Sequence, residues 1–323
     1  MLAGGKATCQ IHWPDALEPI VVEVLLMKII VRSVLVSLMC LPMLIFAAQT
    51  DVMTPAQQYS VIFKAYSPVS GGLRGATTDS ERKTAVEEMA PYASKFVDLA
   101  EKYPNDPIAL KALRQACQVV GSTDSAAINT WELNKSNFPA GNRDDSAART
   151  VALVLRDHLL SDQLGPIIDR MRYAYRMDYE PCLQAVLDKN PHRDVKGLTC
   201  MVLAQYLSDK LRMLRLSDGR EELATCFEIV FGKDYLPEWR RRDRDELARR
   251  IESLFERVEN EFNDVKFRGG TVGEVAKREL YAIRHLSVGR EAPDIVGKDQ
   301  DGVPLKLSDF RGKVVLLYFW SEF

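Results

Sequence analysis

The chain has 323 residues, of which 46% are hydrophobic and 27% are charged. These proportions exclude a wholly disordered chain and leave room for two modest folded domains. Its 43 basic and 45 acidic residues give a formal net charge of −2, so no overall field would draw the protein to nucleic acid or to an anionic membrane surface. We therefore expect no nucleic-acid partner.

The amino-terminal region predicts an export signal. Two basic residues, an apolar core and the small residues Ala47 and Ala48 follow one another in the order that a secretory signal requires. We interpret residues 27–48 as a cleaved signal peptide, which predicts a periplasmic protein, and residues 1–26 as the product of a start codon assigned too far upstream. The alternative is an inner-membrane anchor formed by an uncleaved segment 27–48, and only then would the protein have a membrane partner.

Four cysteines follow the predicted signal. They are Cys117, Cys182, Cys200 and Cys226. No two stand at Cys-x-x-Cys spacing and no histidine clusters with them, so the sequence predicts neither a metal site nor another cofactor. The simplest interpretation is four buried, small apolar side chains, with one disulfide between two of them after export and the pairing left open. The alternative makes Cys200 a nucleophile with His192 or His285 as its base.

Residues 49–286 predict a helical domain. Apolar residues recur there at steps of three and four, the period of one helix face. Two such stripes are Val86, Met89, Ala93, Phe96 and Ala100, and Leu247, Ile251, Leu254, Val258 and Phe262. Prolines interrupt the pattern repeatedly, so the helices should be short and numerous.

Two joints between helices resemble each other. In Phe96–Leu113 and in Leu183–Cys200, an amphipathic helix ends in Lys-x-Pro, a short polar turn follows, and another helix begins. Asp106 and Pro107 provide an N-cap and a proline suited to the start of the second helix of the first joint. The joints resemble those of tetratricopeptide-type arrays, but no 34-residue period persists. An irregular array of αα-hairpins and a non-repeating bundle both remain open, and either would have a protein or peptide as partner.

The basic run Arg240–Arg250 suggests a nucleic-acid patch at first sight. Acidic residues interleave with its arginines, and the apolar stripe that starts at Leu247 predicts a helix with a charged outer face. We interpret the run as a solvated helix face. Residues 266–270 then predict a loop, and a last helix should end near His285.

Residues 287–323 change from helical to strand-like patterning. A strand near Ile295-Val296 and a second strand from Val303 to Leu307 flank an Asp301-Gly302 turn, which predicts a β-hairpin. Pro304 places the second strand at an edge or a bulge, because proline cannot donate to a central ladder. A tight connection over residues 308–312 follows.

The run Val314–Trp320 is apolar at every position. Such a strand is typical of a sheet that is covered on both faces, and three strands alone cannot form a stable layer. We expect this run to be the first core strand of a larger α/β domain, of which residues 287–323 are only the opening part.

Several short pieces of this tail form a recognisable motif set. They are Gly289, Ala292-Pro293-Asp294, Asp301-Gly302, Leu307-Ser308-Asp309, Arg311-Gly312-Lys313 and Phe319-Trp320. The set resembles the opening of a TlpA-type thiol-disulfide oxidoreductase, within the alkyl hydroperoxide reductase/thiol-specific antioxidant (redoxin) group of thioredoxin folds. In that family, two or three residues after Phe-Trp comes Cys-x-x-Cys, whose first cysteine lies at a helix N-terminus that favours its thiolate. The resemblance places the nucleophile immediately after Phe323 and no catalytic residue within the chain.

Three explanations for the position of Phe323 stay open. One is a premature stop, a frameshift or an artificially shortened chain, and a second is a helical domain that works alone with a residual tail. The third is a UGA codon for selenocysteine read as a stop, which suits a nucleophile that must be ionised at working pH.

The fold expected is mainly α, followed by the N-terminal β-hairpin and first core strand of an incomplete thioredoxin-like α/β domain. By resemblance, the complete protein is an exported antioxidant oxidoreductase that exchanges thiols and disulfides with a partner protein or reduces peroxides. This chain should be inactive as written. The alternative function is a helical-repeat protein-binding module with a residual redoxin tail.

Overall fold

The computed structural model describes residues 53–134 and 145–319, and residues from Pro55 onward form one compact unit. The predicted signal peptide 27–48 and the segment 1–26 lie outside the described residues. The described part contains twelve α-helices: α1 (Pro55–Gly75), α2 (Asp79–Met89), α3 (Pro91–Lys102), α4 (Ile108–Asn134), α5 (Ser146–Leu153), α6 (Gly165–Met171), α7 (Tyr179–Lys189), α8 (Arg193–Ser217), α9 (Glu221–Phe231), α10 (Tyr235–Arg240), α11 (Arg244–Glu261) and α12 (Val272–His285).

Local sequence signals fix where several of these helices begin. Capping boxes start α2 and α12, in which Thr78 pairs with Glu81 and Thr271 pairs with Glu274. Each box satisfies backbone N–H groups that the first turn of a helix leaves without a partner. The Asp243 carboxylate caps α11 by accepting from two backbone N–H groups. The helices therefore start where short-range chemistry predicts.

Both predicted apolar stripes are buried. Every residue of the two stripes is less than 10% exposed, with Phe96 and Val258 fully enclosed. The first stripe is divided between α2 and α3, because Pro91 opens a new helix at its N1 position. The prediction of many amphipathic helices is confirmed, but not all of them are short, since α4 has 27 residues and α8 has 25.

The helices pack around two long ones. The first long helix, α4, packs against α1, α2, α3, α5 and α9. The second, α8, packs against α7, α11, α12 and the short α10. Helix α6 packs against both long helices. The two predicted joints are the turns between α3 and α4 and between α7 and α8. Asp106 caps the first, since its Oδ1 accepts from the Ile108 N–H at 2.8 Å. The arrangement is an irregular helical bundle that contains αα-hairpins.

The predicted loop at residues 266–270 contains a small hairpin. Strand β1 (Lys266–Phe267) pairs with β2 (Gly270–Thr271), and two residues with positive φ, Arg268 and Gly269, join them. Two positive φ values are what a type I′ turn requires. The sequence did not predict this hairpin because arginine seldom adopts a positive φ.

The tail forms the predicted β-hairpin. Strand β3 (Val296–Lys298) pairs antiparallel with β4 (Pro304–Lys306), and a 3₁₀ turn follows at Leu307–Phe310. Gly302 takes the positive φ of the turn, 80°. Pro304 lies opposite Lys298 at the end of the ladder, which agrees with its predicted edge position.

The apolar run that follows differs from its prediction. Residues 314–319 have no strand pairing, and their side chains are exposed, from 43% at Val315 to 104% at Val314. A strand needs a hydrogen-bonding neighbour, and the β3–β4 hairpin does not provide one. Trp320, the last residue of the predicted strand, lies outside the described residues.

No helix within residues 53–134 and 145–319 is both long enough and apolar enough to cross a membrane.

Candidate functional site

The tail hairpin is held by the residues of its motif set. Asp294 accepts from the Ser308 backbone N–H and hydroxyl, both at 2.9 Å, and the Leu307 N–H donates to the Ile295 carbonyl. The Ser308 backbone hydrogen bond lowers the pKa of Asp294, so the carboxylate stays ionised at neutral pH. The Ala-Pro-Asp and Leu-Ser-Asp pieces, which are separate in the sequence, thus join the entry of the hairpin to its exit.

The expected catalytic position immediately follows Phe323 and lies outside this chain. What the described residues supply is the framework before it: the β3–β4 hairpin, the 3₁₀ turn and the uncovered run 314–319. In thiol exchange, the nucleophile is a thiolate. A cysteine at the point where a strand ends and a helix begins would have a lowered pKa, because the helix N-terminus stabilises the anion. The described residues of the tail, 288–319, contain no cysteine.

The four cysteines within the described residues are buried thiols. No disulfide joins any two of Cys117, Cys182, Cys200 and Cys226. The optional disulfide that the sequence left open is not formed in this structure, and the interpretation of the cysteines as buried core residues is confirmed. Burial raises the pKa of Cys117, Cys182 and Cys200 to about 12, so these thiols are protonated at neutral pH and are poor nucleophiles.

The alternative Cys200–histidine pair does not form. The Cys200 thiol donates to the Leu254 carbonyl at 3.4 Å in the core between α8 and α11. His192 is the N-cap of the same helix, eight residues earlier, which places it about 12 Å away along the helix axis. His285 lies on the surface with its ring against Tyr281. Neither imidazole can act as the base for Cys200.

No set of three or more histidine, cysteine, aspartate or glutamate side chains in the described part of the chain is arranged to hold a metal ion.

A buried ion pair connects the two halves of the helical domain. The Asp124 carboxylate of α4 is fully buried and accepts two hydrogen bonds from the Arg176 guanidinium, at 2.8 and 3.0 Å. Arg176 lies in the turn before α7, and its carbonyl accepts from the Tyr206 hydroxyl of α8 at 2.6 Å. Burial raises the pKa of Asp124 and the paired guanidinium opposes that shift. The pair fixes α4, α7 and α8 in one arrangement.

Lys210 of α8 lies beside this pair and is 1% exposed. Its ammonium is 4.1 Å from the Tyr175 ring centroid and 4.6 Å from that of Tyr206, and it donates to the Ala174 carbonyl at 3.4 Å. Desolvation lowers the pKa of Lys210 to about 7. The two ring faces and the carbonyl stabilise the cation, but burial still opposes its charged form.

The basic run Arg240–Arg250 is only partly the solvated face that the sequence predicts. Arg242 and Arg250 turn inward and bind the two carboxylate oxygens of Glu180, each at 2.6 Å. Arg242 also lies over the Trp239 ring, 4.1 Å from its centroid. These two arginines tie α10 and α11 to α7, because their carboxylate partner is nearly buried. The remaining arginines of the run are exposed or pair with acidic neighbours.

Three cavities of the helical domain have shared or adjoining lining residues, and we name them together the arginine groove. The first, of 340 Å³, lies between α1 and α4; the second, of 260 Å³, lies between α4 and α6. The third, of 470 Å³, lies between α8, the β1–β2 hairpin and α12. Gln118 and Ser122 line both of the first two cavities. The sequence did not predict the groove, because its walls come from distant helices.

Tyr173 connects the second cavity to the third. It lines the second cavity, while Arg172 and Arg268, which line the third, lie 4.5 and 5.9 Å from its ring centroid. Asp169 fixes Arg268 by accepting from its guanidinium at 2.7 and 3.0 Å. The ring is 38% exposed and so offers an aromatic surface in the middle of the groove.

A comparison with known protein families finds a match in the tail. Residues 288–323 match the AhpC/TSA family, which confirms the resemblance at the level of a redoxin-like, thioredoxin-related segment. The match begins after α12 and does not extend into the helical domain. No solved structure matches the chain.

Proposed function

We propose that residues 288–323 are the opening part of a TlpA-type redoxin domain, and that the complete protein carries out thiol–disulfide exchange or peroxide reduction outside the cytoplasm. The observation that carries the proposal is the coincidence of two features in one segment. The AhpC/TSA match falls on the residues that form the hairpin and on an apolar run that nothing in the described residues covers. Elements that cover such a run are what the rest of a redoxin domain would supply.

The exposure pattern of the run supports this proposal. From residue 314 to residue 318 the exposure alternates: Val314, Leu316 and Tyr318 are 104%, 92% and 82% exposed, whereas Val315 and Leu317 are 43% and 47% exposed; Phe319, at 82%, ends the alternation. Alternation of this kind is that of an extended segment with two distinct faces. If further elements covered the run, each large apolar side chain that became buried would stabilise the tail by about 1.5–3 kcal/mol.

The nucleophile of the proposed domain lies just beyond Phe323, at the point where the core strand gives way to a helix. Our proposal is that it is a selenocysteine, encoded by UGA, or a cysteine. A selenol or a thiol at a helix N-terminus ionises more readily than one in water, and it attacks the disulfide or peroxide as the anion.

The nucleotides after the Phe323 codon test the proposal first. We expect a UGA or cysteine codon, then two residues, a cysteine and further thioredoxin-like strands and helices. An extended chain with cysteine at position 324 should reduce insulin disulfides or hydrogen peroxide, and the matched chain with serine at 324 should not. A downstream frame without a second cysteine, or equal activity of the two chains, would contradict the proposal.

Export is a separate part of the proposal. We expect the mature protein in a bacterial host to begin at Gln49 and to fractionate with the periplasm, because segment 27–48 has the features of a cleaved signal. Mass measurement of the purified protein's N-terminus checks this. A membrane-bound protein that retains residues 27–48 would contradict cleavage and favour the anchor.

A second function is favoured by the arginine groove. We propose that the helical domain binds a protein or peptide there, as αα-hairpin bundles can do with the surface between their helices. The groove is polar and has the exposed Tyr173 ring at its centre, which supports binding and requires no catalytic group. Binding of labelled peptides to residues 49–323 tests it, and no measurable binding of any peptide would contradict it.

A further inference from the structure

The chemistry of the arginine groove points to an acidic, extended peptide segment of a partner protein as its ligand. This inference rests on the second proposed function and names the ligand class for it. The groove is defined above by its three cavities, which Gln118, Ser122 and Tyr173 connect.

The charge of the lining carries the inference. Five arginines and two glutamates line the three cavities in the part of the chain that the structure describes: Arg74, Arg170, Arg172, Arg268 and Arg278, and Glu274 and Glu279. This excess of cations contrasts with a whole chain whose net charge is −2. A local basic surface on a nearly neutral protein attracts carboxylates at short range.

Within the described residues, four of these five guanidinium groups have no acidic partner; one of the four, that of Arg172, donates instead to the neutral side chain of Gln205 at 2.7 Å. Arg74, Arg170 and Arg278 make no ion pair within residues 53–134 and 145–319, and each belongs to a different cavity. In contrast, Glu274 is occupied, since it caps α12 by accepting from the Thr271 N–H. Each cavity of the groove is therefore lined by at least one arginine that has no ion pair within the described residues.

A peptide fits this lining better than a nucleic acid. Asp169 and Glu279 interrupt the cations and would repel a continuous row of phosphates, whereas a peptide can place its carboxylates only where cations stand. Gln118 and Gln205 bring side-chain amides to the groove, and such amides can bond to a peptide backbone. The exposed Tyr173 ring offers an apolar contact between two charged sections.

Fluorescence anisotropy with labelled peptide pools tests the inference. The pools contain random peptides of about 12 residues, roughly 40 Å when extended, and are rich in aspartate and glutamate, neutral, or rich in lysine. A labelled oligothymidylate of similar length is the nucleic-acid probe. We expect the acidic pool to bind about tenfold or more tightly than the neutral pool at low salt, and the difference to shrink as salt is added.

Variants locate the site. Arg170→Gln and Arg278→Gln should each weaken binding of the acidic pool about three- to tenfold, the effect of one partly exposed charge contact. Neither change breaks an ion pair of the described residues, so the unfolding midpoint should not change. Arg215→Gln is the matched control, because Arg215 is an exposed arginine of α8 outside the groove lining. It should leave binding unchanged.

The outcomes separate the inference from the function on which it rests. Equal binding of acidic and neutral pools, or unaltered binding by both groove variants, overturns the acidic-peptide inference but leaves peptide binding in place. Tighter binding of the oligothymidylate than of any peptide pool overturns both in favour of nucleic acid. No binding of any probe overturns both as well, whatever the state of the redoxin tail.

Discussion

The helical domain of residues 55–285 and the β3–β4 hairpin of the tail both form their backbone hydrogen bonds locally, but the helical domain and the tail differ in what covers their side chains. Phe96, Tyr179 and Trp239 are fully enclosed in the helical domain, whereas the large apolar side chains of the tail are exposed. The comparison teaches that turn chemistry is enough to form a hairpin, but that a core needs a second layer of structure.

The two regions should differ most in how much the free energy of unfolding falls when a large apolar side chain is shortened. Phe96→Ala removes an aromatic ring that packs against Tyr59 and Tyr66, and we expect it to lower the free energy of unfolding by about 3–5 kcal/mol. Val314→Ala, in the exposed run, should change it by less than about 0.5 kcal/mol. Urea unfolding followed by circular dichroism measures both. A large effect of Val314→Ala would show that the run is covered.

A backbone contact in the helical domain is the next test. A Cβ at Gly273 would lie 2.6 Å from the Asn263 carbonyl oxygen and 2.7 Å from its Cα. Gly273→Ala should therefore destabilise the protein by about 1–3 kcal/mol, because backbone must move. The matched control is Gly72→Ala in α1, where no atom lies within 4 Å and alanine should stabilise the helix by about 0.5–1 kcal/mol. Equal effects of the two changes would mean that α11 and α12 pack loosely.

The buried lysine predicts a smaller effect that depends on pH. The groups that face Lys210 include Asp124, Asp209, Tyr175 and Tyr206. Its pKa is about 7 in the folded protein and 10.5 in the unfolded chain, so between these values the unfolded chain binds the extra proton. Stability from this group is therefore highest at alkaline pH and is lost as the pH falls towards 7.

Replacing the lysine should remove that loss. We expect Lys210→Met to stabilise the protein by about 1–2 kcal/mol at pH 7, since a methionine of similar length needs no hydration. The advantage over the unaltered protein should shrink as the pH rises from 7 to 9. Unfolding curves at several pH values check both statements. A variant that is destabilised at pH 7 would show that the cation–aromatic contacts outweigh desolvation.

Removing the tail should have almost no effect on the helical domain. We expect a chain that ends at Ser287 to unfold with the same free energy, within about 0.5 kcal/mol, because the hydrogen bonds of residues 291–313 are made within the tail itself. The shortened chain should also bind less of a dye that reports exposed apolar surface. A fall of the unfolding midpoint on removal would reveal packing between the tail and the helices.

The sequence predicted those features that short-range patterns determine. The apolar stripes, the Asp106 cap and the Asp301-Gly302 turn were all placed by spacing and turn chemistry, and all are present. The resemblance of the tail was also recognisable, because its motif residues lie close together in the sequence and form local contacts, such as the hydrogen bond from the Ser308 N–H to Asp294.

Features built from distant residues could not be predicted in this way. Asp124 and Arg176 are 52 positions apart, and nothing near either residue marks it as buried. The arginines of the groove come from α1, from α6 and the residues after it, from the β1–β2 turn and from α12, so only the packing of these elements brings them to one surface. The run 314–319 reads as a strand locally, but pairing requires a neighbour that local sequence does not specify.

Amide hydrogen exchange on the chain that ends at Phe323 most directly tests the contrast between an enclosed helical domain and an uncovered tail. We expect amides of α4 and α8 to exchange only by global unfolding, and amides of residues 314–319 to exchange within about tenfold of the rate of an unstructured peptide. Protection of residues 314–319 comparable with that of α8 would contradict this contrast, because it would mean that the apolar run is already covered within this chain.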